Sequence, residues 1–248
     1  MNWISETKDG ALRKREFVVE ADGRRVPGVI WTPTATGNGE ARPLVLVGHG
    51  GSQHKESDAV LDVAHPLAAR HGFFVAAIDG PVHGARRADK GTDGAKVIGE
   101  FRSMWKENPR IDETVADWRA ALDVLLQLPE VDPAAVSWFG ISMGTAYGLP
   151  LCSADSRIRA ALLGMWGTSH PHGDRLIADA AKVRCPVLFQ RKSGDERFTA
   201  EGQEELFAAL GSADKELRVY EGGHVNPSGR QLDDGLEFLV RQLKATAR

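Results

Sequence analysis

Short continuous apolar runs, separated by longer stretches with helical spacing, constrain this chain most. Residues 44–47 (Leu-Val-Leu-Val) are apolar without alternation, and similar runs stand at 73–78, 136–139, 160–163 and 187–189. A strand covered on one face alternates apolar and polar residues, whereas one covered on both faces does not. Residues 217–220 form a more polar run. Between the runs lie helical candidates at 57–70, 112–128, 143–154, 200–210 and 228–245, with Pro66 placed to kink or split the first. In the second, Val115, Trp118, Leu122 and Leu125 recur at helical spacing. Strands alternating with helices predict an α/β fold with a mostly parallel central sheet and helices on both faces. Ahead of it, runs at 16–20 and 26–31 flank Asp22-Gly23 in a short polar gap, which predicts an N-terminal antiparallel hairpin.

With 248 residues and 42% hydrophobic content, the expectation is one domain over 1–248. A net charge of −3 provides no basic field, so nucleic acid is not expected as a partner. No run approaches the roughly 18 apolar residues of a membrane helix, and no membrane association is expected. The start of the chain has no basic region followed by an apolar stretch. Cys152 and Cys185 are too few for a disulfide framework and read as buried thiols. The expected location is cytoplasmic. Oligomeric state stays open, a homo-oligomer included.

Ligands of parallel sheets bind beyond the carboxyl ends of the strands. The residues following the runs are therefore the place to search. They are Gly48-His49-Gly50-Gly51-Ser52, Asp79-Gly80-Pro81-Val82-His83-Gly84, Gly140-Ile141-Ser142-Met143-Gly144, a loop ending in Gly194-Asp195, and Glu221-Gly222-Gly223-His224. Gly-x-Ser-x-Gly between a buried strand and a helix describes a sharp turn that projects the serine hydroxyl clear of the sheet. The topology brings a serine, an acid and a histidine to one edge, in that chain order.

On these motifs the chain, from about residue 43 to the C-terminus, resembles the α/β-hydrolase superfamily, and within it the compact dienelactone-hydrolase-like esterases. The resemblance implies Ser142 as nucleophile, His224 as base and Asp195 as the acid orienting it. Asp174 and Asp179 are weaker rivals for the acid. It implies Gly51 and Met143 as oxyanion-hole amides, with Gly50 left as an alternative. Dienelactone hydrolases themselves use a cysteine where Ser142 stands, so the departure favours an ordinary carboxylic ester, a small molecule, as substrate. Thioester or amide cleavage would use the same triad, and a non-catalytic receptor on this fold is the reading from another class.

His49, His83, Phe101, Trp105 and Trp166 are candidate pocket residues. His49 is expected to order the oxyanion loop, and the Asp79–Gly84 turn to shape the pocket wall. No cofactor is called for. The histidines at 49, 83, 170 and 172 lack tight metal-ligand spacing. The long connection at 86–111 carries Phe101, Met104 and Trp105. A helical turn there is either a small lid over the serine or a packed surface helix.

Overall fold

The computed structural model describes residues 2–35, 40–89, 91 and 93–246. Its sheet has nine strands in the order β1-β2-β3-β5-β4-β6-β7-β8-β9. The strands are β1 (Asn2–Asp9), β2 (Leu12–Ala21), β3 (Arg24–Pro33), β4 (Arg42–Gly48), β5 (Phe74–Ile78), β6 (Val131–Gly140), β7 (Ile158–Gly164), β8 (Val187–Lys192) and β9 (Lys215–Tyr220). From β5 to β9 every neighbouring pair is parallel. The helices are α1 (Asp58–His71), α2 (Gly94–Glu107), α3 (Ile111–Leu125), α4 (Met143–Ala154), α5 (Gly173–Ala180), α6 (Ala200–Ala209) and α7 (Arg230–Thr246).

The apolar runs are continuous because each strand feeds two cores. Leu44 and Leu46 of β4 join the cluster under α2 to α6, while Val45 and Val47 join the one under α1 and α7. Successive side chains of a strand point to opposite faces, so a strand between two helix layers has no solvent-facing position. In β5, Phe74, Ala76 and Ile78 divide from Val75 and Ala77 in the same way.

The hairpin forms where expected. Asp22 and Gly23 have φ of 48° and 75°, the positive values that a two-residue type I′ turn needs, and Ala21 pairs with Arg24. A third antiparallel strand, β1, extends it. All eight of its residues are exposed, so no apolar pattern marks it. It is held by pairing with β2 and by Trp3 against Phe17, ring centroids 6.1 Å apart. Helix α1 runs unbroken through Pro66, so the helix is not split there. Burial of Val60, Val63, Ala64, Leu67 and Ala68 holds its turns together despite the missing N–H. The 86–111 connection holds a helix of fourteen residues, α2, rather than a single turn; Lys90 and Thr92 of that connection lie outside the described residues. Cys152 is buried and Cys185 half-buried, both as free thiols.

Candidate active site

Three loops at the carboxyl edge of the sheet meet at Ser142. The serine sits between β6 and α4 with φ 59° and ψ −121°, a strained region for a non-glycine residue. Several contacts over-determine that backbone. Ser142 N–H donates to Gly164 O at 2.9 Å. The Thr145 hydroxyl donates to Gly140 O at 2.8 Å and accepts from Gly164 N–H at 2.7 Å, tying the turn to β7. Close packing explains the flanking glycines. A Cβ at Gly140 would collide with the Trp138 indole and Gly144 O, and one at Gly144 would collide with Gly48 O.

The Ser142 hydroxyl lies 2.9 Å from His224 Nε2. His224 Nδ1 lies 3.1 and 3.0 Å from the two Asp195 oxygens, Oδ1 and Oδ2. The Asp195 side chain is 1% exposed and that of His224 8%. Burial alone would push the Asp195 carboxyl up, but hydrogen bonds from His224 and from the Arg197 and Phe198 amides outweigh it and hold the group below its ordinary value. Of the rival acids, Asp179 is engaged with Arg175 at 2.7 Å and Lys182 at 3.4 Å, and Asp174 lies in the first turn of α5.

On the other side of the serine, the loop after β4 presents backbone amides. Gly50 N–H is taken by Gln53 Oε1 at 2.9 Å, which removes Gly50 as the alternative donor. Among the described residues, neither the Gly51 nor the Met143 amide has a protein acceptor. Gly80 N–H donates to His49 Nε2 at 3.0 Å, so His49 carries its proton on Nδ1 and donates it to Gly50 O at 2.9 Å. That carbonyl shares a planar peptide with Gly51 N–H, and the two point in opposite directions. Anchoring the carbonyl on His49 therefore aims the amide away from the histidine.

His83 repeats the device one peptide on, with Nε2 donating to Gly51 O at 3.0 Å. It is fully buried and borders neither cavity lobe at Ser142. Among the pocket candidates it is thus displaced, to a place behind the loop. Burial lowers His49 to about 4; burial and the neighbouring His49 lower His83 to about 3. Both rings are neutral at pH 7 and can serve as fixed donors. Asp79, wholly buried, accepts from Lys55 N–H and Ala85 N–H, each at 2.9 Å, and holds the turn that carries His83. Gly84, at φ 49°, lies so close to the Asp79 carboxylate that a Cβ would collide with it.

The other three candidates are in place. Phe101 and Trp105 come from α2 and Trp166 from the loop after β7; all three border one lobe. Ile98 and Phe101 press on Gly51, where a Cβ would meet both side chains.

Two contributors escaped the sequence reading. Glu196 Oε2 accepts from His224 N–H at 2.8 Å. Gln53 Nε2 donates to Asn226 Oδ1 at 2.7 Å, spanning from the loop after β4 to the loop after β9. For Gln53 a signal existed: a Gln three residues past Gly50 can close a turn on it, as Gln53 N–H does on Gly50 O at 3.1 Å. Among the described residues no cluster of three or more His, Cys, Asp or Glu gathers to hold a metal ion, and no helix is long and apolar enough to cross a membrane.

Residues 44–225 match the model of the dienelactone hydrolase family. A cold-adapted esterase from an Arctic intertidal metagenomic library is 35% identical, with a TM-score of 0.87 over 98% of this chain and 100% of that one. An uncharacterized protein of Mycobacterium tuberculosis is 31% identical over 94% of this chain and 80% of its own length. The acetyl xylan esterase from Paenibacillus sp. R4 shares the fold at 17% identity, with a TM-score of 0.70 over 99% of this chain and 87% of that one. The chain belongs to the dienelactone hydrolase family and is an α/β-hydrolase-fold enzyme of the carboxylesterase type.

Proposed function

We propose that Ser142, His224 and Asp195 form a catalytic triad that hydrolyses a small carboxylic ester through an acyl-serine intermediate. The observation that carries this reading is the unbroken relay from Ser142 Oγ to His224 Nε2 at 2.9 Å and from Nδ1 to Asp195 at 3.0–3.1 Å, built from three separate loops. The Ser142 hydroxyl attacks the acyl carbon and its proton passes to Nε2. Asp195 holds Nδ1–H and balances the imidazolium. The carbonyl oxygen, now an oxyanion, accepts from the Gly51 and Met143 amides; one such donor is worth about 2.7–4 kcal/mol in the transition state. Collapse breaks the bond to the alcohol oxygen, which takes the proton from Nε2. Water then attacks the acyl-serine by the same route, releasing the acid and restoring the hydroxyl.

The strained φ at Ser142 argues against a receptor, which has no need of a serine held in that conformation. We further read 1–248 as one domain in which α2 is a fixed wall of the site rather than a hinged lid. Arg87, its side chain buried, binds Glu100 of α2 at 2.6 Å, and the Trp105 indole donates to Pro171 O at 3.1 Å.

A fluorophosphonate probe should label the protein at Ser142. Ser142→Ala should lose the label and about 10⁶-fold in kcat. Full esterase activity in that variant would relocate the site.

A further inference from the structure

Ser142 stands where two lobes of unlike lining meet. One, about 280 Å³, has a mixed lining: the aliphatic side chains of Val60 and Leu232 and the polar ones of Gln53, Arg197, His224 and Asn226. The other, about 230 Å³, is bordered by Phe101, Trp105, Trp166, Phe198 and His170, with Arg102, Lys106 and Arg197 also on its lining. The first four of these are at most 3% exposed. They pack ring on ring, with centroids 4.9 Å apart for Trp105 and Trp166, 4.6 Å for Trp166 and Phe198, and 6.3 Å for Phe101 and Trp166. The wall is also pinned by the segment ahead of α5: the Trp105 indole donates to Pro171 O at 3.1 Å, and His172 Nε2 donates to Trp105 O at 2.8 Å.

Rigid aromatic walls favour a flat ring over a flexible chain. A ring meets them in offset or edge-to-face contacts worth about 0.5–1.5 kcal/mol beyond area burial. An alkyl chain gains only the area and gives up its rotamers. The size fits, since a cavity of roughly 150 Å³ is enough for benzene.

The proton route decides which arm of an ester goes where. The leaving oxygen must reach His224 Nε2 to take its proton, and His224 borders the mixed lobe but not the aromatic one. The alcohol therefore occupies the mixed lobe and the acyl substituent the aromatic lobe. We infer that the substrates are esters of aryl-substituted carboxylic acids with small aliphatic alcohols, and that Trp166, which contacts both Trp105 and Phe198, sets this acyl preference. The inference rests on the acyl-serine reading above.

Two constitutional isomers test it on the wild-type enzyme: methyl phenylacetate carries the ring on the acyl arm and benzyl acetate on the alcohol arm. With each kcat/KM divided by the rate of the hydroxide reaction, methyl phenylacetate should be favoured about tenfold or more. Trp166→Leu should reduce that ratio about fivefold or more, chiefly through KM for methyl phenylacetate. Equal rates, or a preference for benzyl acetate, in an enzyme that turns over p-nitrophenyl acetate would overturn the lobe assignment alone. A wild-type protein that neither hydrolyses any of these esters nor takes up the fluorophosphonate would overturn the acyl-serine reading, and this inference with it. If Trp166→Leu does not fold, the isomer comparison on the wild type decides.

Discussion

The two loops that face each other across Ser142 are held in opposite ways. The loop after β4 is braced from beneath by buried groups: the neutral rings of His49 on the Gly50 carbonyl and His83 on the Gly51 carbonyl, and Asp79 holding the turn behind them. The loop after β9 is largely exposed. It hangs on a few polar bonds, from Gly194 N–H to Gly222 O at 3.0 Å, from His224 N–H to Glu196, and from Gln53 to Asn226. The difference follows from the two proposed tasks. Amides that stabilise a developing charge are worth most when they are already oriented in a dry site. An imidazole that exchanges protons with serine, leaving group and water works where water can reach it. Rigidity is thus concentrated on the backbone donors, while the base is positioned by its own side-chain bonds.

The contrast can be broken most strongly at Gly51. A side chain there collides with Ile98 and Phe101, so Gly51→Val should displace the braced peptide. We expect kcat to fall about 10²–10³-fold, with fluorophosphonate labelling slowed in parallel. A variant with wild-type kcat would remove Gly51 from the oxyanion site.

Acid should loosen the braced loop next. Well above pH 6.5, His49 is neutral in both the folded and unfolded chain and contributes no pH dependence. As pH falls, the unfolded chain takes up the proton while the folded one refuses it until about pH 4. Stability is therefore lost across that window, by about 3 kcal/mol from His49 alone. Urea midpoints measured from pH 7 to pH 4 should fall less steeply in His49→Gln than in the wild type. Identical slopes would show that His49 is not buried as the neutral form.

The smallest effect is expected on the exposed side. Glu196→Ala removes the acceptor of the His224 amide, a solvent-exposed contact, and should cost about two- to fivefold in kcat with KM and the urea midpoint little changed. A loss as large as that of Gly51→Val would mean the two loops are equally dependent on their braces, and the comparison would fail.

Much of this site was legible because its parts sit at the ends of strongly patterned elements. The unalternating runs located the strands, and residues just past them had to lie on one edge. What stayed hidden depended on contacts between distant segments. Strand β1 is exposed on both faces and leaves no apolar signature; only pairing to β2 reveals it. Helix α5 buries just Leu176, Asp179 and Ala180, too few positions to announce a helix. His83 seemed a pocket residue because its turn follows a strand, yet its ring faces the back of the loop after β4. Glu196 and Gln53 act through bonds to residues 28 and 173 positions away, and local spacing carries no trace of such pairs.

The sequence by itself determined the parallel part of the sheet with its leading hairpin, the strand-to-helix turn at Ser142 and the chain order of serine, acid and histidine. Those follow from periodicity and from the backbone demands of a tight turn, which are local. Tertiary structure alone decided that Gly51 and not Gly50 has a free amide, that two neutral histidines anchor the peptides on either side of it, and that the cleft has one aromatic and one mixed lobe. Each of those depends on which side chains from separate elements share a few ångströms of space, and that is settled only when the elements pack.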